Sequence, residues 1–259
     1  MRLTLYQVDA FASELFAGNP AAVVPLDAWL DDDLMRSIAA ENNLAETAFF
    51  VAGDDGYAIR WFTPAVEVDL CGHATLASAY VLFDCLDFKG DTIVFDSRSG
   101  PLSVTREGER LTLDFPSQPP RHCATPAEVV EAFGAEPREC QMSADLIVVF
   151  DDAEFVRRVD PNIAALARIN SRGVIITAAD TQYDFVSRFF GPNVGIDEDP
   201  VTGSSFTQLV PYWAEQLSKT SFHAKQVSQR GGEVFCELKE DRVLIGGTAV
   251  KYLEGTIEV

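Results

Sequence analysis

Four polar side chains stand at matched turns of two stretches that read as copies of one another. The first runs Arg60-Trp61-Phe62-Thr63-Pro64-Ala65-Val66-Glu67-Val68-Asp69-Leu70-Cys71-Gly72-His73-Ala74-Thr75. The second runs Arg188-Phe189-Phe190-Gly191-Pro192-Asn193-Val194-Gly195-Ile196-Asp197-Glu198-Asp199-Pro200-Val201-Thr202-Gly203-Ser204-Ser205. With Arg60 set against Arg188, the aromatic pair and Asp69/Asp197 fall into register, and Cys71 meets Asp199. A short insertion then brings Gly72-His73 opposite Gly203-Ser204. Each copy reads as a strand, a tight turn and the start of an apolar helix. Such a turn offers backbone N–H groups at the positive end of a helix dipole, where an anion binds well. The pattern is that of an enzyme for proton transfer on a small anion.

Each candidate also has a plain structural reading. His73 at a helix N-terminus is expected to be a neutral imidazole, because the dipole disfavours its charged form; it is either a hydrogen-bonding partner for a ligand or a capping histidine. Asp199 and Ser204 are either reactive or caps of the following helix. Cys71 is either a small buried residue or a thiol activated by the helix N-terminus. Glu46 enters the otherwise apolar strand Leu44–Val51 and either faces water on an edge or sits as a carboxyl in a partly apolar pocket. Arg60, Arg188 and Arg230 are candidates for pairing with a substrate carboxylate or for structural ion pairs. An acid/base pair set about one substrate is what proton relocation needs.

Positioning these groups requires particular elements. Leu3 to Asp9 and Ala21 to Pro25 read as strands, with Gly18-Asn19-Pro20 as a turn between them. Asp31-Asp32-Asp33 ahead of Leu34, Met35, Ile38 and Ala39 is a helix start, and Asn42-Asn43 its stop. Tyr57 to Phe62 leads into the first turn. Ala74 to Leu86 is apolar almost all round, as in a helix buried at a domain centre. Strands follow at 91–97, 102–105 and 111–115. Pro116-Ser117-Gln118-Pro119-Pro120 reads as a linker. Beyond it come a helix (126–133), a strand (143–150), a helix (163–168), a strand (173–177) and Phe185 to Phe190. A second apolar helix, Phe206 to Leu217, is expected to kink at Pro211. Hairpin strands from Phe222 complete the pattern. The fold class is therefore α+β: two halves, each with a mostly antiparallel sheet around a central apolar helix.

Composition narrows the partners. The 259 residues carry 40 Asp and Glu against 20 Lys and Arg, a net charge of −20. Such a surface repels nucleic acid and anionic membranes. No apolar run approaches the ~20 residues of a membrane helix. The five cysteines, Cys71, Cys85, Cys123, Cys140 and Cys236, show no paired spacing, which fits a reducing cytoplasmic setting without disulfides. No His/Cys/Asp/Glu set has metal spacing, so no metal is expected. There is no G-x-G-x-x-G after a strand and no Walker motif, so no nucleotide cofactor is expected either.

The chain resembles the phenazine biosynthesis PhzF-like family, which shares the diaminopimelate epimerase fold. The residues that carry the likeness are Val8-Asp9-Ala10-Phe11, Gly18-Asn19-Pro20, Asn43-Leu44-Ala45-Glu46-Thr47, Arg60 to Pro64, Cys71 to Thr75 and Glu198 to Ser204. The resemblance implies two epimerase-like halves, residues 1–117 and 118–251, with a tail at 252–259 that crosses back to the first half. It also implies an active site in the cleft between the halves and a homodimer. It further implies cofactor-independent isomerisation of a small carboxylate substrate. Glu46, His73 and Asp199 would be catalytic. Gly72, Gly203, Ser204 and Cys71 would bind substrate. Related epimerases use two cysteines; Asp199 stands where the second would be, which leaves a mixed Cys71/Asp199 racemase as the alternative, beside a silent small-molecule-binding protein.

Overall fold

The computed structural model describes residues 1–53 and 56–259. They form two compact units, residues 1–114 with 246–259 and residues 115–245.

In the first unit, β1 (Arg2–Ala10) pairs antiparallel with β2 (Asn19–Leu26) on one side and with the C-terminal strand Ala249–Glu258 on the other. Helix α1 (Asp32–Asn42) then crosses to β3 (Glu46–Ala52), which lies parallel to β2. The caps of α1 follow from its sequence. The Asp31 carboxylate accepts from the Asp33 N–H at 2.9 Å, and Asn43 closes the helix in the left-handed conformation at φ 49°. Next come β4 (Tyr57–Phe62), antiparallel to β3, and the short β5 (Glu67–Val68). Helix α2 (Gly72–Tyr80) crosses to β6 (Thr92–Ser97), which is parallel to β4 and continues into β7 (Gly100–Glu107) and β8 (Arg110–Pro116).

Every residue of α2 from Gly72 to Ala79 is buried. The helix packs on β1, β2 and β3 and also on β7, far along the same run of strands, so the sheet curls around it. The expected single helix to Leu86 is in fact two pieces. It widens after Tyr80 into a π-helical turn, Val81–Cys85, where the Leu86 N–H reaches the Val81 carbonyl five residues back.

The second unit repeats the order of parallel and antiparallel pairs. It opens with β9 (Arg121–Cys123) and α3 (Ala127–Phe133). The expected strand 143–150 is present as β11 (Leu146–Val149), shortened at its start by a turn at Ser143 to Asp145 that joins it to an unexpected partner, β10 (Glu139–Met142). Helices α4 (Ala153–Arg158) and α5 (Ile163–Leu166) cross to β12 (Val174–Ala179), parallel to β11. Strands β13 (Phe185–Gly191) and β14 (Ile196–Asp199) lead into α6 (Gly203–Leu217). This helix crosses to β15 (Ser221–Gln226), parallel to β13, and then β16 (Gly232–Lys239) and β17 (Arg242–Gly247) follow.

The likeness extends to one ion pair in each unit. Arg60 grips Glu67 with two hydrogen bonds of 2.7 Å, and its guanidinium lies 5.2 Å from the Phe62 ring. Arg188 grips Glu198 at 2.6 and 2.9 Å, 4.9 Å from the Phe190 ring. Two-point pairing over an aromatic face suits arginine in particular. Arg60 and Arg188 thus bind the strand to the turn that follows it. Of the two readings open to them, the ion pair is the one observed.

The residues read as a linker are tied down. Ser117 donates its N–H to the Asp241 carbonyl at 2.8 Å, and Gln118 donates its N–H to the Thr207 carbonyl at 2.9 Å. The second bond answers a problem set by the sequence. Helix α6 runs on through Pro211, which has no N–H to give the carbonyl four residues earlier, and that carbonyl belongs to Thr207. Thr207 is buried, so its acceptor would be costly to leave bare. Replacing Gln118 with Pro removes the donor; the expected loss is about 1–3 kcal/mol, read as a lower urea midpoint at unchanged slope.

Candidate active site

In the first unit, three of the expected residues meet. Glu46 opens β3, which lies between β2 and β4, so it does not stand on the sheet edge. Cys71 is the N-cap of α2 and His73 its second residue. His73 Nε2 lies 3.2 Å from Glu46 Oε2, and the two side chains are only 6% and 12% exposed. The Cys71 Sγ is 3.6 Å from Nδ1 of the same ring. Proximity is not alignment here: among the described residues neither Nε2 nor Oε2 has a well-directed hydrogen-bond partner. Two buried polar atoms that face each other without a proper bond are an unusual and costly arrangement.

A fourth member was not singled out from the sequence. Asn19, read as part of a turn, opens β2 and is fully buried, with its side-chain amide 3.2 Å from His73 Nδ1. Gly18 makes that placement possible. Its φ is +64°, and a Cβ there would lie 2.2 Å from the Ala10 carbonyl oxygen, so no other residue fits without displacing the backbone.

Electrostatics revise the expected state of His73. Burial alone pulls its pKa down. The Glu46 carboxylate, helped by the Cys71 sulfur as a hydrogen-bond acceptor, outweighs that, and the ring holds its proton well above the ordinary histidine range. The expectation of a neutral imidazole considered only the helix dipole, whereas a carboxylate at 3.2 Å acts at much closer range. Burial pushes the Cys71 thiol up, and Glu46 adds to this while His73 opposes it. A thiol so placed is a poor source of thiolate.

The expectation of no metal-type cluster rested on spacing along the chain. The fold brings one donor atom each from Glu46, Cys71 and His73 to within 4.8 Å of one another.

In the second unit, Asp199 ends β14 and is 7% exposed. It is not the cap of α6; Thr202 holds that position, and the Thr202 hydroxyl donates to Asp199 Oδ2 at 2.5 Å. Gln226 fixes this turn from β15. Its amide donates to the Asp199 carbonyl at 2.8 Å and accepts from the Thr202 N–H at 2.9 Å. Ser204 lies in the first turn of α6, its hydroxyl accepting from Arg172 Nη2 at 3.2 Å. Arg172 is itself locked to the fully buried Asp145 by bonds of 2.9 and 2.6 Å, and Gln208 Nε2 donates to the same carboxylate at 2.6 Å. Neither Arg172, Asp145 nor Gln226 stands near Asp199 or Ser204 in sequence, and no local signal marks them. Both Gly72 and Gly203 begin their helices, and neither helix has a side-chain cap bond on its first turn.

The His73 arrangement has a measurable signature. Its NMR titration midpoint is expected above the ordinary histidine value, and Glu46→Gln should lower it. The sign for stability follows from the raised folded pKa. His73 stabilises the fold fully below its unfolded pKa of about 6.5, and this contribution is lost as pH rises through the folded value. Unfolding free energies of wild type and Glu46→Gln should therefore diverge more at acidic pH than at alkaline pH.

Comparison with known proteins gives this geometry a family. The pattern described as phenazine biosynthesis-like protein matches residues 8–255. An uncharacterized isomerase of Pseudomonas aeruginosa is 52% identical over 259 residues, the whole of both chains. The crystal structure of a PhzF-family phenazine biosynthesis protein from Enterococcus faecalis superposes with a TM-score of 0.98 at 47% identity, covering all of both chains. A hydroxyproline epimerase from Agrobacterium vitis shares the fold alone, at a TM-score of 0.67 and 11% identity over 99% of this chain and 92% of that one. With the family pattern running almost end to end and half of all residues shared with a full-length relative, the chain belongs to the phenazine biosynthesis-like protein family.

Proposed function

We propose that this protein is an isomerase that moves a proton on a small carboxylic acid by general acid/base catalysis, without a cofactor. The observation that carries the reading is the buried, imperfectly bonded contact between Glu46 and His73 at the start of α2. A carboxylate held beside a charged imidazole, with both reactive edges unsatisfied, suits a substrate that completes the hydrogen bonding. In this reading Glu46 takes a proton from a carbon next to an electron-withdrawing group. It then returns that proton, or another, elsewhere on the same molecule. His73 supplies positive charge beside Glu46 and favours the anionic intermediate. We assign the first-turn amides at Gly72-His73 and those at Gly203-Ser204 to substrate binding. We assign Asp199 to orienting the substrate in the same reaction, and Ser204 to binding it with its hydroxyl oriented by Arg172. The isomerase name carried by the Pseudomonas relative agrees with this class of reaction.

Cys71 is a poor supply of thiolate base on this reading. Its burial and the carboxylate beside it both favour the thiol, which argues against a Cys71/Asp199 racemase.

Deuterium entry from D2O tests the proposal. Wild-type protein incubated with a panel of cyclic and amino-acid carboxylates should label at least one of them, followed by NMR. Glu46→Gln should lose about 100-fold or more of that rate, while Cys71→Ala should lose much less. Label that survives in Glu46→Gln and vanishes in Cys71→Ala would instead place the base at the thiol. Saturable binding with no label would favour a silent binding protein.

A further inference from the structure

The cluster at the start of α2 has a second chemical capacity. It joins a thiol, an imidazole and a carboxylate on three fixed backbone positions: Cys71 at the helix cap, His73 two residues beyond and Glu46 at the head of β3. Their donor atoms all lie within 4.8 Å of one another. The Cys71 Sγ to His73 Nδ1 distance is 3.6 Å. That is already about 3.6 Å, the separation expected when a tetrahedral zinc sits between a thiolate at ~2.3 Å and an imidazole nitrogen at ~2.1 Å. A small turn of the Glu46 carboxyl would supply the third ligand. A second observation points the same way. Glu46 Oε2 is buried and lacks a directed partner among the described residues, so this carboxylate is short of a ligand. Three protein ligands with a fourth position left to water or an anion is a common pattern for zinc.

We propose that Glu46, Cys71 and His73 form a binding site for a thiophilic divalent cation such as Zn2+, and that the ion acts as an inhibitor by occupying the atoms that relay protons. Binding displaces the thiol proton, and the ring proton where His73 is charged, to solvent. No redox change is involved. The ion and the substrate then exclude each other, because both need the Glu46 carboxylate. The inhibitory part rests on the proton-transfer reading given above; the binding part does not.

Cobalt(II) reports such a site directly, since a thiolate bound to it gives a strong charge-transfer band in the near ultraviolet. The full chain, stripped of metal with a chelator, is titrated with CoCl2 in a Cys85→Ser/Cys123→Ser background, which removes the two partly exposed thiols. One equivalent should bind and be displaced by ZnCl2. The band should vanish in Cys71→Ser, and Glu46→Gln should weaken cobalt affinity at least 10-fold, with circular dichroism checking that each variant is folded. Should Cys71→Ser fail to fold, Glu46→Gln carries the test alone. Lack of saturable binding, a band that survives Cys71→Ser, or an affinity indifferent to Glu46→Gln would overturn the site. Zinc should then suppress deuterium exchange in step with occupancy; binding that leaves exchange untouched would overturn the inhibitory role. Exchange absent from the metal-free protein as well would count against the proposed isomerase and leave the binding result standing.

Discussion

Helix α2 has no face to offer water. Its residues Gly72 to Ala79 are all buried, and so the sheet has to close around it. That one demand determines much of the candidate site. A helix wrapped by strands carries its N-terminus into the interior as well, and with it Cys71 and His73, which an amphipathic helix would have left at the surface. Once His73 is inside, it needs neighbours that tolerate an imidazole. Asn19 and Glu46, from the two parallel strands β2 and β3, provide them. The polar cluster is a consequence of an apolar constraint.

The two units reach similar turns by similar means and then diverge in detail. In each, a strand arginine stacks over the phenylalanine two residues on and grips a glutamate that follows. Each clamp fixes the segment that precedes the helix start. At the helix starts the chemistry differs. The first unit leaves its carboxylate and imidazole poorly bonded, whereas the second surrounds Asp199 and Ser204 with partners: Thr202, Gln226 and the Arg172–Asp145 pair. Unsatisfied hydrogen bonding is thus a feature of Glu46 and His73, while Asp199 is held in a settled frame. In the proposed reaction Glu46 changes protonation state and Asp199 only orients the ligand, and the two settings suit those two tasks.

What was legible in the sequence was what is local. The caps of α1 at Asp31 and Asn43, the buried character of α2 and the register of the two turn motifs each depend on residues a few positions apart. The identity of Glu46 as a candidate came from one charged residue in an apolar strand; the matched turns marked His73, Cys71, Asp199 and Ser204, and the family likeness added roles for them. What escaped was non-local. Asn19 looked like turn punctuation because its neighbours are Gly and Pro; only the packing of α2 on β2 brings it to His73. Arg172 and Asp145 carry no motif. The charge of His73 was misread because the helix dipole is visible in sequence and the carboxylate from another strand is not. Pro211 was read as a kink, yet the missing hydrogen bond is made good by Gln118, from a segment whose prolines suggested a free linker.

The pairing of β1 has a bearing on how the chain is made. Its outer neighbour is the strand Ala249–Glu258, with Arg2 opposite Glu258 and Ala10 opposite Ala249. The second unit, by contrast, is one uninterrupted run of sequence. On the ribosome the unit begun first is therefore completed last. Through the synthesis of more than half the protein, β1 presents an open row of backbone donors and acceptors, and only the emergence of residues 249–258 covers it. A premature stop just after residue 245 releases a chain with a finished second unit and a bare strand edge, a species suited to chaperone capture or to mispairing with its own kind.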